Sequence, residues 1–260
     1  MTTARRYGAF ALCVAAFIAV TSNAFAAPAI NAKTRTLEAT VDIDPALERI
    51  GPLKEFLLSE AKRDVAAQQK EADEAKRTEP RAFRERWTFD RRYKLVSQVA
   101  PFVSVLRTEM SYTGGAHPNT VLTTLIWDTA QGKATGLDAF LNEISPDGPT
   151  LTALAALIRT SLAEEKRKRG IEVASDPASD EWLRAVEPRL DALGSPALAP
   201  SNVEGKAAGF LFYFSPYDVG PYVEGAFTAF VPWDPLMPLL KADKTALFDG
   251  RPAPMAATAQ

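Results

Sequence analysis

The sequence predicts an α+β fold in two adjoining modules, with antiparallel sheet and helices packed on one face, and three observations carry that expectation. Several segments alternate apolar and polar residues with a period of two. Two longer stretches place apolar residues at helical spacing instead. A composition of 47% hydrophobic residues over 260 positions supplies enough apolar surface for two small cores without covalent staples.

The first element lies over residues 34–43, where Leu37, Ala39, Val41 and Ile43 alternate with Glu38, Thr40 and Asp42, the pattern of a half-buried strand ended by Asp44-Pro45. Pro52 then opens a helix with Leu53, Phe56, Leu57, Ala61 and Val65 on one stripe. Its continuation to Arg77 is nearly all polar, a solvated half with Lys70/Glu74 and Asp73/Arg77 as four-apart pairs. Alternation returns at Trp87, Phe89, Tyr93 and Leu95, then over 102–112 and 121–127, and Asp128 to Lys133 is a turn. These strands read as an antiparallel meander. A polar loop, residues 112–119, joins two of them.

A second helix follows Asp147-Gly148-Pro149-Thr150, with Leu151, Leu154, Ile158 and Leu162 on one stripe. It ends in Lys166-Arg167-Lys168-Arg169 before Gly170, a basic run that complements the helix dipole and calls for no ligand. A short helix carries Leu183, Val186 and Leu190, residues 194–200 read as linker-like, and two aromatic strands lie at 209–214 and 226–231. The modules are therefore expected at 34–133 and 134–240. Residues 241–260 form a tail, expected to be disordered from about residue 253.

Residues 1–26 read as a signal peptide: Arg5 and Arg6, an apolar run over residues 7–20, then Ala24-Phe25-Ala26 as the cleavage pattern. A periplasmic or secreted chain beginning at Ala27 is expected, with no membrane span after cleavage, because that run falls short of the roughly 20 residues a span requires. Cys13, the only cysteine, lies within the run, so no disulfide or thiolate ligand remains. Without Arg5 and Arg6, 28 basic residues face 32 acidic ones in an interspersed pattern, which disfavours a nucleic-acid partner.

His117 is the only histidine, which removes two-histidine metal sites. Carboxylates show no calcium-loop spacing, and no cofactor or metal is expected. A Gly-x-Ser-x-Gly elbow is absent, and no carboxylate pair has a spacing diagnostic of glycoside hydrolysis. No catalytic residue is assigned. Two loops supply the candidate ligand-binding residues. In the first, Tyr112, Thr113, Gly114, Gly115, His117, Pro118 and Asn119 combine glycines open to positive φ with an imidazole that Pro118 holds in extended backbone. This loop reads either as a rigid connection pinned by His117 or as a ligand contact. In the second, Tyr217, Asp218 and Tyr222 offer amphipathic rings beside acidic groups, again core pieces or a binding platform.

The string Tyr112-Thr113-Gly114-Gly115-Ala116-His117-Pro118, with the strand after it and Gln131-Gly132-Lys133, resembles the N-terminal module shared by PdaC-type peptidoglycan deacetylases and RsiV-type lysozyme-sensing anti-sigma factors. Phe214 to Tyr222, with Gly225 and Val231-Pro232, looks like the companion RsiV C-terminal module of unknown function. The resemblance implies two α+β modules. In the deacetylase the chemistry belongs to a separate metal-bearing domain, for which this chain lacks the histidines, so the resemblance implies a non-enzymatic module. Its implied partner is a lysozyme-like protein or a peptidoglycan fragment. The alternative from the residues themselves is a small envelope hydrolase using His117 and a carboxylate.

Overall fold

The computed structural model describes residues 27–253, so the signal-peptide reading of residues 1–26 and the far end of the tail lie outside the described residues. Two sheets build the fold. The larger has six strands in chain order: β1 (Ile30–Lys33), β2 (Leu37–Ile43), β3 (Trp87–Val99), β4 (Phe102–Tyr112), β5 (Asn119–Asp128) and β6 (Lys133–Thr135). Between β2 and β3 run α1 (Pro45–Glu48), capped by the Asp44 carboxylate, and the long α2 (Gly51–Thr78). All pairings are antiparallel except β2 with β3. That departs from the expected meander because a helical crossover, unlike a hairpin, returns the chain in the same direction.

One face of this sheet is covered by α2. Leu53, Leu57, Ala61 and Ala72 bury against Leu37, Ala39, Val41, Phe89, Val103 and Val105, while Phe56 sits at the margin with its ring 5.2 Å from Trp127. The buried Arg91 guanidinium ties the layers by ion pairs to Asp64 at 2.7 Å and to Glu109. The polar half of α2 is held down as well: Thr36 Oγ1 donates to Asp73 at 2.5 Å and accepts from Gln69 Nε2 at 2.8 Å. Glu74 pairs with Arg77 three residues on, so the expected four-apart pairs give way to these contacts.

The second sheet contains β7 (Ser195–Pro200), β8 (Ala207–Phe214) and β9 (Phe227–Pro232), all antiparallel. On its outer side lies α3 (Pro149–Lys168), and α4 (Trp233–Leu236) follows β9. The segment that reads as a linker is thus a strand. Its prolines are tolerated because Pro196, Leu198 and Pro200 direct their backbone groups away from β8, where a proline's missing N–H costs no ladder bond. On that outer edge the first sheet supplies hydroxyls: Leu198 N–H donates to Ser104 Oγ (3.0 Å), Ser97 Oγ donates to the Leu198 carbonyl (2.7 Å), and Thr124 Oγ1 donates to that of Pro196 (2.5 Å). Leu106, Ala197, Ala199, Ala208, Leu211 and Tyr213 fill the space between the sheets, and that burial pushes the Tyr213 phenol up to about 12.

Residues 241–253 pack on the second module. Phe248 is buried 5.5 Å from the Phe210 ring, and Ala253 N–H donates to the Pro200 carbonyl. No described helix is long and apolar enough to cross a membrane.

Candidate functional site

The first loop is the hairpin between β4 and β5, closed by the Ser111–Asn119 pair. Gly114 holds φ +90°, a region costly to other residues, which lets the chain reverse here. Gly115 is outside that region, and a Cβ on it would meet nothing, so only one of the two glycines is conformationally required. His117 is exposed, with Nδ1 2.9 Å from the Pro118 carbonyl oxygen. A carbonyl only accepts, so this contact places a proton on Nδ1.

The second loop connects β8 to β9. Ser215 and Asp218 fold its first turn: Ser215 N–H donates to the Asp218 carboxylate at 2.6 Å, and Asp218 N–H donates back to the Ser215 carbonyl at 3.1 Å. Tyr217, at the tip, adopts φ +77°, which for a residue with a Cβ costs on the order of 1–3 kcal/mol. The residue is left 54% exposed. Val219 is buried and anchors the turn from below.

Behind this loop stands a buried ion pair that sequence reading missed. Lys166 Nζ lies 2.6 Å from Glu224 Oε2 and 4.7 Å from the Phe227 ring centroid. Arg169 adds bonds to the Glu224 and Ala226 carbonyls. Lys166 follows Leu162 by four and so continues the apolar stripe of α3, the spacing that signals its burial. Gly220 is required here for space, since a Cβ would collide with the Glu224 carboxylate and approach Lys166 Nζ to 2.9 Å.

The two loops meet. The His117 ring stacks on Tyr222 at 3.9 Å and 24°, Tyr217 lies 5.6 Å from Tyr222 and 6.4 Å from His117, and Tyr222 Oη donates to the Pro118 carbonyl at 2.9 Å. Leu122 N–H donates to Ser215 Oγ at 3.1 Å, joining β5 to the second loop. Val223, 90% exposed, also stands on the second loop. A groove of about 550 Å³ runs alongside, lined by Leu122, Thr123, Leu190, Pro196, Ser215 and Asp218.

The structure thus brings His117, Pro118, Tyr217 and Tyr222 into one cluster, with Gly114 and Asp218 shaping the turns. Tyr112 bonds elsewhere: its hydroxyl donates to Glu85 at 3.0 Å, a bond that, with burial, raises the phenol above its ordinary range. Thr113 lines a different groove beneath α2, and Asn119 is exposed at the start of β5. Among the described residues His117 makes no hydrogen bond or ion pair to a carboxylate, and no three His, Cys, Asp or Glu side chains are grouped to hold a metal.

Two family models match the chain, each over a separate stretch. Residues 20–120 match the family model described as Deacetylase PdaC, and residues 143–234 match that described as Protein of unknown function (DUF3298). No curated protein matches the chain. A DUF3298 family protein from Pseudomonas aeruginosa PAO1 is similar in structure, with TM-score 0.53 and 15% identity, covering 85% of this chain and 91% of that one. A DUF3298 family member from Bacteroides fragilis NCTC 9343 aligns with TM-score 0.48 and 15% identity over 80% of this chain and 86% of that one. The Pseudomonas likeness is one of fold.

Proposed function

We propose, for a chain that carries a PdaC-type N-terminal domain followed by a DUF3298 C-terminal domain, that it is an exported, non-enzymatic envelope protein whose paired loops bind a lysozyme-like protein or a peptidoglycan fragment. The observation that carries this reading is the cluster of exposed His117 and Tyr217 with half-buried Tyr222, assembled from both domains and backed by the buried Lys166–Glu224 pair. Rigid aromatic side chains lose little entropy on association and recur as anchors of interfaces. Tyr217 is held in a costly backbone conformation with its ring in solvent, an arrangement that core packing does not require.

The hydrolase alternative needs a carboxylate to act with His117. The two acidic residues of the second loop are engaged: Asp218 closes its turn and Glu224 pairs with Lys166. The deacetylase description belongs to the matched family model. A metal-dependent centre of that kind has no ligand set here, with one histidine in the sequence and no three-residue group among the described residues.

The test is binding of the exported chain to lysozyme and to soluble peptidoglycan fragments, with Tyr217→Ala beside the parent. Loss of a central aromatic anchor weakens binding by roughly tenfold or more while the melting temperature holds. Turnover of envelope substrates by the parent, abolished in His117→Ala, would refute the binding reading.

A further inference from the structure

A second groove, about 800 Å³ in volume, lies between the C-terminal half of α2 and the segment that leads into β3. Its aromatic part is Phe83 and Trp87, stacked at 5.9 Å and 24°. Lys76 Nζ sits 5.2 Å over the Phe83 ring, so one ring of the pair already receives a cation within the protein itself. Of the acidic lining residues, Glu74 is engaged by Arg77 through two bonds. The Glu71 and Glu79 carboxylates make no side-chain hydrogen bond or ion pair among the described residues, and Lys70 is the one basic residue among those lining the groove. The groove wall is fixed, because Thr36, Gln69 and Asp73 bond α2 to the start of β2 and Ala72 is fully buried beneath it.

Two stacked rings beside two unengaged carboxylates are complementary to a planar cation. A guanidinium lies flat on an indole face while its N–H fork meets carboxylates at its edge, a geometry an ammonium point charge does not match. We infer that this groove binds an arginine-bearing segment of a polypeptide, the guanidinium lying on Trp87 within reach of Glu71 and Glu79. Thr113, four residues before His117, lines the same groove, so the first loop touches both surfaces. The inference does not rest on the two-loop reading.

The test uses a fluorescein-labelled hexa-arginine peptide and the full chain, read by anisotropy at low and high salt. Neutralising the exposed carboxylates in Glu71→Gln/Glu79→Gln should weaken binding by about tenfold or more. The charge-matched Glu164→Gln/Glu204→Gln and the loop variant Tyr217→Ala should bind as the parent does. Phe83→Ala should weaken binding at high salt, where the stacking contribution persists. Equal loss in both charge-neutralised variants would mean unspecific attraction and overturn the site. So would absence of binding, or occupation of the groove by chitohexaose in place of the peptide.

Discussion

Replacing Lys166 by methionine keeps most of the aliphatic stem but removes the charge that faces Glu224. The two side chains are 3% and 17% exposed, so the pair is buried rather than a surface bridge. Removing one partner of a buried pair costs about 3–5 kcal/mol, because the remaining charge is left uncompensated. Glu224 retains some solvent, which places its share near the lower end, at about 3 kcal/mol. The lost cation–π contact with Phe227 adds about 1 kcal/mol. A total near 4 kcal/mol is a large part of a stability of about 5–15 kcal/mol. Urea unfolding followed by tryptophan fluorescence measures it, as a lower midpoint at unchanged slope. Lys166→Met/Glu224→Gln should recover most of the loss, since no unpaired charge stays behind. A single variant within about 1 kcal/mol of the parent, or a double variant no better than the single, would refute the claim that this pair holds the second loop.

Two further outcomes follow from the same physics. Ser104→Ala leaves the Leu198 N–H buried without its acceptor, so stability should fall by about 1–3 kcal/mol in the same urea assay. Burial works against the Asp180 carboxylate, but N–H groups of Leu183, Ala174 and Trp182 outweigh it and hold its pKa below the ordinary value. A lowered folded-state pKa stabilises above the unfolded value and is lost as pH falls through the folded one, so Asp180→Asn should flatten the acid limb of a stability–pH profile.

Much of this architecture was readable from residue order. Alternation located β2 to β5, and the apolar stripes located α2 and α3, because each buries a single face and periodicity reports that directly. The two loops stood out through glycine, proline and tyrosine, residue types whose backbone and ring chemistry are distinctive. What periodicity cannot report is pairing direction or partner. The parallel β2–β3 pairing depends on where a 28-residue helix delivers the chain. β7 was concealed by Pro196 and Pro200, which argue against a strand until one knows that their side of the backbone faces hydroxyls. Lys166 reads as part of a basic run that complements the helix dipole, although its position on the apolar stripe points inward. The meeting of His117 with Tyr222, 105 positions apart, is a tertiary contact with no local signature.

The hydroxyl row along β7 also acts as an index between the two sheets. Among the outward-facing residues Pro196, Leu198 and Pro200, only Leu198 owns an N–H, and only Ser104 receives it. Sliding the second sheet by two residues in either direction would set a proline against Ser104 and erase that bond, so intermediate or alternative alignments gain nothing from the prolines. The assembly is therefore single-valued along this axis. Movement of one sheet past the other by whole residues carries a cost of about 1–3 kcal/mol, that of a buried N–H left without its acceptor.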